Sequence, residues 1–258
     1  RVRRRRGIPQ ADGPVDFIYL DPARRDEHGS RTYAIEDCTP NVLELRDLLL
    51  AKSQYTLVKL SPMLDWRKAV ADFDGTVREV HIVATGNECK ELLLVLGQQM
   101  HEEPSAPRVF CVNDNQRIDY DSAAYTQGLR IGGKPLPEVK NYLYEPNASI
   151  MKAGCFDLVE ERFGVTQVGP SSHLFVSATP VADFPGRGFA IEAIGGMNKK
   201  DIKRLLNGTK QANIAVRNFP LTAPQLRKKL KLADGGPVYL FGTTMQGCDH
   251  VLLRTSKI

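Results

Sequence analysis

The chain has 258 residues, 42% of them hydrophobic and 25% charged, with 21 glycines, 16 prolines and 7% aromatics; this profile excludes disordered, collagen-like and membrane-embedded classes. The longest apolar stretches, Leu48–Ala51 and Leu92–Leu96, fall far below the roughly 18 residues of a membrane-crossing helix. The formal net charge of +5 is unevenly placed: five arginines stand in the first six residues, residues 189–258 carry twelve bases against four acids, and residues 7–188 are net −8.

Val15–Leu20 (VDFIYL) is an apolar run rich in β-branched and aromatic residues, and it ends in Asp21-Pro22. It is expected to be a buried strand with an acid at its carboxyl end. After a polar loop, Asn41–Lys52 carries Val42, Leu45, Leu48 and Leu49 at helical spacing, with Thr39 the expected N-cap and Pro40 the first helical position. Tyr55–Leu60 is a second strand, Asp65–Phe73 a short helix, and Val77–Ala84 a third strand. The leucine spacing of Asn87–Leu96 predicts another helix, and Arg108–Asn113 a fourth strand. Strands separated by helices predict an α/β sheet, predominantly parallel. In such sheets chemistry sits beyond the carboxyl ends of the strands, here Asp21–Arg24, Lys59–Pro62 and Thr85–Glu88.

From about Ser122 a connector rich in glycine and proline begins, with Gly128, Gly132, Gly133, Pro135 and Pro137. It marks a boundary. One amphipathic helix is expected over Asn147–Phe163 and a short strand over Leu174–Ser177. A compact α+β module follows: strand 189–194, helix 198–206, strand 212–219, helix 223–231, and strands 238–241 and 250–254. The expected division is therefore 1–121, 122–186 and 187–258.

The five cysteines are scattered singly, without the spacing of a zinc site, so neither metal nor disulfide is expected and a cytoplasmic location is. The arginine start is followed by turn-forming residues rather than an apolar core, so no secretion signal is expected. A chain opening at Arg1 and running almost directly into a strand reads as a truncated protein.

An aspartate closing a strand is by itself as readily a turn former or helix cap. Its context here, VDFIYLDPARR, a helix, YTLVKLSP and a third strand closing on ATGNE, resembles the second half of a class I S-adenosylmethionine-dependent methyltransferase. The resemblance implies that Asp21 and Pro22 lie beside the transferring methyl, serving both catalysis and cofactor binding. Where that family has a second proline and often an aromatic residue, this chain has Ala23 and Arg24. Arg24 is not the aromatic residue that stacks an extruded base in that family, which makes methylation of an exocyclic amine a weaker expectation, and its guanidinium suits a phosphate or carboxylate.

Asp21, Lys59 and Glu79 also resemble three positions of the Lys-Asp-Lys-Glu constellation of ribosomal-RNA ribose 2′-O-methyltransferases, in which a lysine of lowered pKa takes the hydroxyl proton. That constellation's first lysine would lie upstream of Arg1, and here a further strand follows the one bearing Glu79. The plain alternative makes Lys59 and Glu79 the polar ends of buried strands. The glycine-rich turn and acid that bind the cofactor in the class I family lie N-terminal to the Asp-Pro strand, and no such turn stands among the 14 residues before Val15. This implies that the main S-adenosylmethionine contacts lie outside the chain, and that the apolar edge of the Asp-Pro strand needs the missing N-terminal half or a second copy as its neighbour.

The strings YLYEPNASIMKAG (142–154), FPGR (184–187), AVRNFP (215–220) and LRKKL (226–230) resemble the methyltransferase-like proteins of Bacteroidetes that carry a ferredoxin-like segment and a C-terminal THUMP-like domain. The resemblance implies a structured RNA such as tRNA or rRNA as partner. Charge supports the same partner independently. Lys199, Lys200, Lys203 and Arg204 cluster on one expected helix and Arg227, Lys228 and Lys229 on the next, with Arg217 at a strand end, as phosphate contacts require. The plain alternatives are a solvated basic face and, for Arg217, a structural ion pair. Two functions are therefore carried forward: an RNA methyltransferase, and a non-catalytic RNA-binding protein with a degenerate methyltransferase core.

Overall fold

The computed structural model describes residues 14–23, 35, 36, 38–98, 106–125, 138, 140–247 and 249–258. The arginine run, Arg24, Cys248 and the glycines and prolines of the connector lie outside the described residues. The chain divides into two units, Arg1–Thr126 and Gln127–Ile258.

The first unit is a six-stranded sheet built from β1 (Val15–Leu20), β2 (Ser53–Leu60), β3 (Val77–Thr85), β4 (Glu88–Gly97), β5 (Arg108–Asn113) and β6 (Gln116–Asp121), in the order β1-β2-β4-β3-β5-β6. Helices α1 (Val42–Lys52) and α2 (Trp66–Asp72) alternate with the first three strands. The sheet is mixed, not predominantly parallel: β1 with β2 and β3 with β5 are parallel, and the other three pairings are antiparallel.

The cause is residues 88–97, a strand rather than the expected helix. Leu92, Leu94 and Leu96 are buried while Glu91, Leu93 and Val95 alternate with them on the other face, which is a period of two. Gly86 and Asn87 join β3 to β4 with φ of 56° and 62°. Two consecutive left-handed residues are the requirement of a type I′ hairpin turn. The Asp114 carboxylate fastens the turn, accepting from Thr85 Oγ1 at 2.7 Å and from the Gly86 N–H at 3.0 Å. The α1 cap also differs. Asn41, not Thr39, accepts from the Leu43 N–H, because the Thr39 backbone is spent on a bridge to Ala23.

One face of this sheet is fully buried, with Val58 and Leu60 of β2, Val80 and Ile82 of β3, and the three alternate leucines of β4; Val42 and Leu49 of α1 and Trp66 and Ala69 of α2 are buried as well. The opposite face stays partly open, and it is most open at β1, where Phe17 is 53% and Tyr19 54% exposed. The outer edge of β1 has no partner among the described residues.

The second unit is a seven-stranded sheet in the order β11-β12-β13-β10-β7-β9-β8. Its strands are β7 (Tyr142–Pro146), β8 (Thr166–Gln167), β9 (Phe175–Ser177), β10 (Gly186–Gly195), β11 (Asn213–Arg217), β12 (Val238–Thr244) and β13 (His250–Lys257). Only β11 and β12 pair in parallel. The helix expected over 147–163 is two, α3 (Ala148–Ala153) and α4 (Phe156–Phe163), because Gly154 takes the left-handed conformation that ends α3. Helices α5 (Lys199–Leu206) and α6 (Ala223–Leu230) pack Leu205, Leu226 and Leu230 onto Leu240 and Leu252. The other face of the same strands gathers Leu143, Val176, Phe189, Phe241 and Leu253. Gly186 is dictated by space: a Cβ there would collide with the Glu145 carbonyl where β10 passes β7.

Candidate functional site

Parallel pairing sets Leu20 beside Val58, so Asp21 and Lys59 arrive abreast at the carboxyl ends of β1 and β2. Lys59 Nζ lies 3.2 Å from Asp21 Oδ2 and 3.4 Å from Glu91 Oε1. Glu91 reaches the lysine from β4, which runs antiparallel to β2 with Leu93 opposite Lys59. Its second oxygen, Oε2, is buried and has no hydrogen-bond partner among the described residues. Sequence reasoning missed Glu91 because it lay in the supposed helix; the Gly-Asn pair before the run was the available signal.

Burial by itself would lower the Lys59 pKa, but the hydrogen bonds and charges of Asp21 and Glu91 together raise it above the ordinary lysine value. The ammonium form is therefore favoured, the opposite of the lowered pKa that a proton-accepting lysine requires. One ammonium between two carboxylates leaves the cluster with a formal charge of −1.

Glu79 is not brought to this cluster. It pairs with Val95 of β4, two residues from Leu93, and its carboxylate meets His81 Nε2 at 2.8 Å. The His81 ring in turn stacks on Phe110. Pro22 directly follows Asp21, and the chain is then held by the two-way backbone pairing of Ala23 with Thr39.

In the second unit, Lys199, Lys200 and Lys203 on α5 and Lys228 and Lys229 on α6 are exposed, and none has an ion-pair partner among the described residues. The arginines of the same segments are engaged within the fold. Arg204 donates to the Ile194 carbonyl at 2.6 Å and meets Asp201 at 3.2 Å. Arg227 donates to the Ala212 and Ala233 carbonyls and pairs with Asp234 at 2.6 Å. Arg217 pairs at 2.7 Å with Glu145, a carboxylate only 4% exposed. The helices also set the lysine positions: Asn198 caps α5, and a reciprocal Thr222/Gln225 capping box opens α6.

Among the described residues no group of metal-binding side chains is found, and no helix is long and apolar enough to cross a membrane. Residues 142–185 match the ferredoxin-like domain family and residues 186–257 the THUMP-like domain family. No curated protein matches the chain. Over 94% of its length the chain is similar to the crystal structure of a "putative methyltransferase" from Porphyromonas gingivalis W83, with 35% identity and a TM-score of 0.82. The chain spans 59% of that protein's chain. Residues 142–257 are thus a ferredoxin-like domain followed by a THUMP-like domain, behind an α/β unit, and the chain shares the fold of the Porphyromonas protein.

Proposed function

We propose that this chain belongs to an S-adenosylmethionine-dependent methyltransferase acting on RNA, supplying part of the methyl-transfer site from its first unit and RNA contacts from its second. The observation that carries this reading is the Asp21–Lys59–Glu91 cluster: net negative, at the carboxyl ends of a parallel strand pair, beside the open edge of β1. S-adenosylmethionine, when bound, supplies a methyl group on a cationic sulfur. A site of formal charge −1 suits such a cation, and the half-exposed Asp21 carboxylate is the group able to face it. Pro22 stiffens the segment behind it.

Lys59, held protonated, fixes the Asp21 carboxylate rather than accepting a proton. Its charge is already matched by Asp21 and Glu91, so it draws an anionic substrate less than a free lysine does. Transfer in such a site draws its rate from alignment of acceptor and methyl. Arg24 and Glu79 stand as candidates only from the sequence resemblance.

The matched 59% of the Porphyromonas chain leaves further sequence on that protein. We infer that an equivalent segment lies along β1, covering Phe17 and Tyr19 and bringing the main cofactor contacts. The exposed lysines of α5 and α6 hold RNA phosphates, which makes binding salt-dependent and indifferent to sequence. Calorimetric titration of the full-length gene product with S-adenosylmethionine tests the enzyme reading: heat of binding that is lost in Asp21→Ala supports it, and no heat from the intact protein contradicts it. The second reading, an RNA-binding protein without catalysis, is favoured by Lys59, which is charged where ribose methylation needs a base. Under it, RNA binds and the cofactor does not.

A further inference from the structure

The three most distinctive strings of the second unit converge on a group that neither proposed activity uses. Glu145 of β7 lies directly opposite Arg187 of β10, and Arg217 ends β11. The Glu145 side chain is 4% exposed, with Arg187 on its Oε2 and Arg217 on its Oε1 at 2.7 Å. A buried carboxylate requires compensation, and one guanidinium supplies it. The second leaves the group with an excess formal charge of +1. Both guanidiniums reach solvent, Arg187 at 45% and Arg217 at 39% of the side chain.

We propose that Arg187 and Arg217, oriented by the buried Glu145, form a binding site for a phosphate group. Because each arginine donates to a different oxygen of one carboxylate, the two guanidiniums are held side by side and their exposed donors are fixed before any ligand arrives. Arg217 is further restrained by donating Nη1 to the Val216 carbonyl at 3.0 Å. Paired forks of this kind match the oxygens of a phosphate, which accepts from two guanidiniums at once. Glu145 shares a strand face with Leu143 and so with Phe241 and Leu253, whereas α5 and α6 lie on the face of Leu240 and Leu252. The phosphate site is therefore separate from the lysines of those helices, and it does not depend on the methyltransferase reading.

The test is calorimetric titration of the protein with pyrophosphate at fixed ionic strength, with folding of each variant checked by thermal unfolding. Wild type binds, and Arg187→Gln, in which Glu145 keeps Arg217, weakens binding about tenfold or more. Glu145→Gln raises the local charge yet releases both forks, so it also weakens binding. Absence of pyrophosphate binding, Arg187→Gln within about twofold of wild type, or tighter binding by Glu145→Gln would overturn the proposal, the last by marking a diffuse charge patch. If Glu145→Gln does not fold, the Arg187→Gln result decides. Short RNAs with and without a 5′-phosphate identify the source. Sensitivity to Arg187→Gln confined to the phosphorylated RNA assigns an RNA end, equal sensitivity in both an internal phosphate, and insensitivity in both a small phosphorylated ligand. Loss of RNA binding on removing the α5 and α6 lysines, with pyrophosphate binding intact, bears on the proposed function alone.

Discussion

The terminal strand of the first sheet leaves Phe17 and Tyr19 half exposed, while the second sheet is packed on both faces and buries even a carboxylate with its counterions in place. Both sheets are built from similar alternating strands, so the difference is one of cover. In the second unit α5 and α6 pack on one face of the sheet, and the opposite face buries Leu143, Val176, Phe189, Phe241 and Leu253. In the first, one face is buried and the other stays partly open. An apolar edge strand left bare is a pairing hazard, which is why we propose a further segment along β1.

This contrast can be broken or sharpened by substitution, beginning where the effect is largest. Glu145→Ala leaves two guanidiniums converging without a counterion and is expected to cost the second unit about 3–5 kcal/mol. Thermal unfolding followed by a probe in that unit reads the loss, and an unchanged transition would mean that the pair does not lock β7 to β11. Next is the double change Phe17→Lys, Tyr19→Lys. In the chain described here it alters stability by less than about 0.5 kcal/mol but suppresses self-association, seen by sedimentation velocity. In the full-length gene product, where we propose that these rings are covered, the same change is expected to cost about 2 kcal/mol per ring. Equal small effects in both would remove the covered edge from the account.

Arg254→Ala follows. Its guanidinium donates to the Leu205 and Leu206 carbonyls and to Thr209 Oγ1, closing the end of α5, and pairs with Glu192 at 2.7 Å. Losing it is expected to cost about 2 kcal/mol, read as faster hydrogen exchange in α5.

The smallest effect is an acid one. Hydrogen bonds from the Thr85 hydroxyl and the Gly86 amide hold the Asp114 carboxyl below its ordinary pKa. A depressed folded pKa means the turn's support is complete above the ordinary carboxylate range and fades as pH falls through the lower folded value. Gly86 amide exchange, corrected for its intrinsic rate, therefore gains protection loss only in acid, and Asp114→Asn abolishes that pH dependence.

Much of this was legible in the sequence. The apolar run ending in Asp21-Pro22 marked β1 as a strand but not its exposure: expected to be buried, it leaves Val15, Phe17 and Tyr19 open, whereas α5, α6 and their flanking strands followed from simple periodicity. The helix expected over 87–96 failed because four leucines and a valine in five consecutive residues satisfy both a helical and an alternating pattern, and only the Gly-Asn pair before them decides. Asp21 and Lys59 were readable as strand ends. Glu91 was not, since it joins Lys59 only through the antiparallel register of β4, a tertiary fact. The basic residues show a related limit. Composition counts lysine and arginine alike, but the fold spends Arg204, Arg217 and Arg227 on carbonyls and carboxylates and leaves the lysines outward. The preference has a physical basis, since a planar fork satisfies several acceptors at once whereas an ammonium is more strongly hydrated.

The most direct measurement is transfer of labelled methyl from S-adenosylmethionine to RNA by the full-length gene product, wild type beside Asp21→Ala. Incorporation by wild type that falls at least about a hundredfold in the variant, the range expected when a reacting centre is misaligned, is the predicted result. RNA bound but unlabelled by the intact protein, or equal labelling by both, would contradict the place given to the Asp21–Lys59–Glu91 cluster.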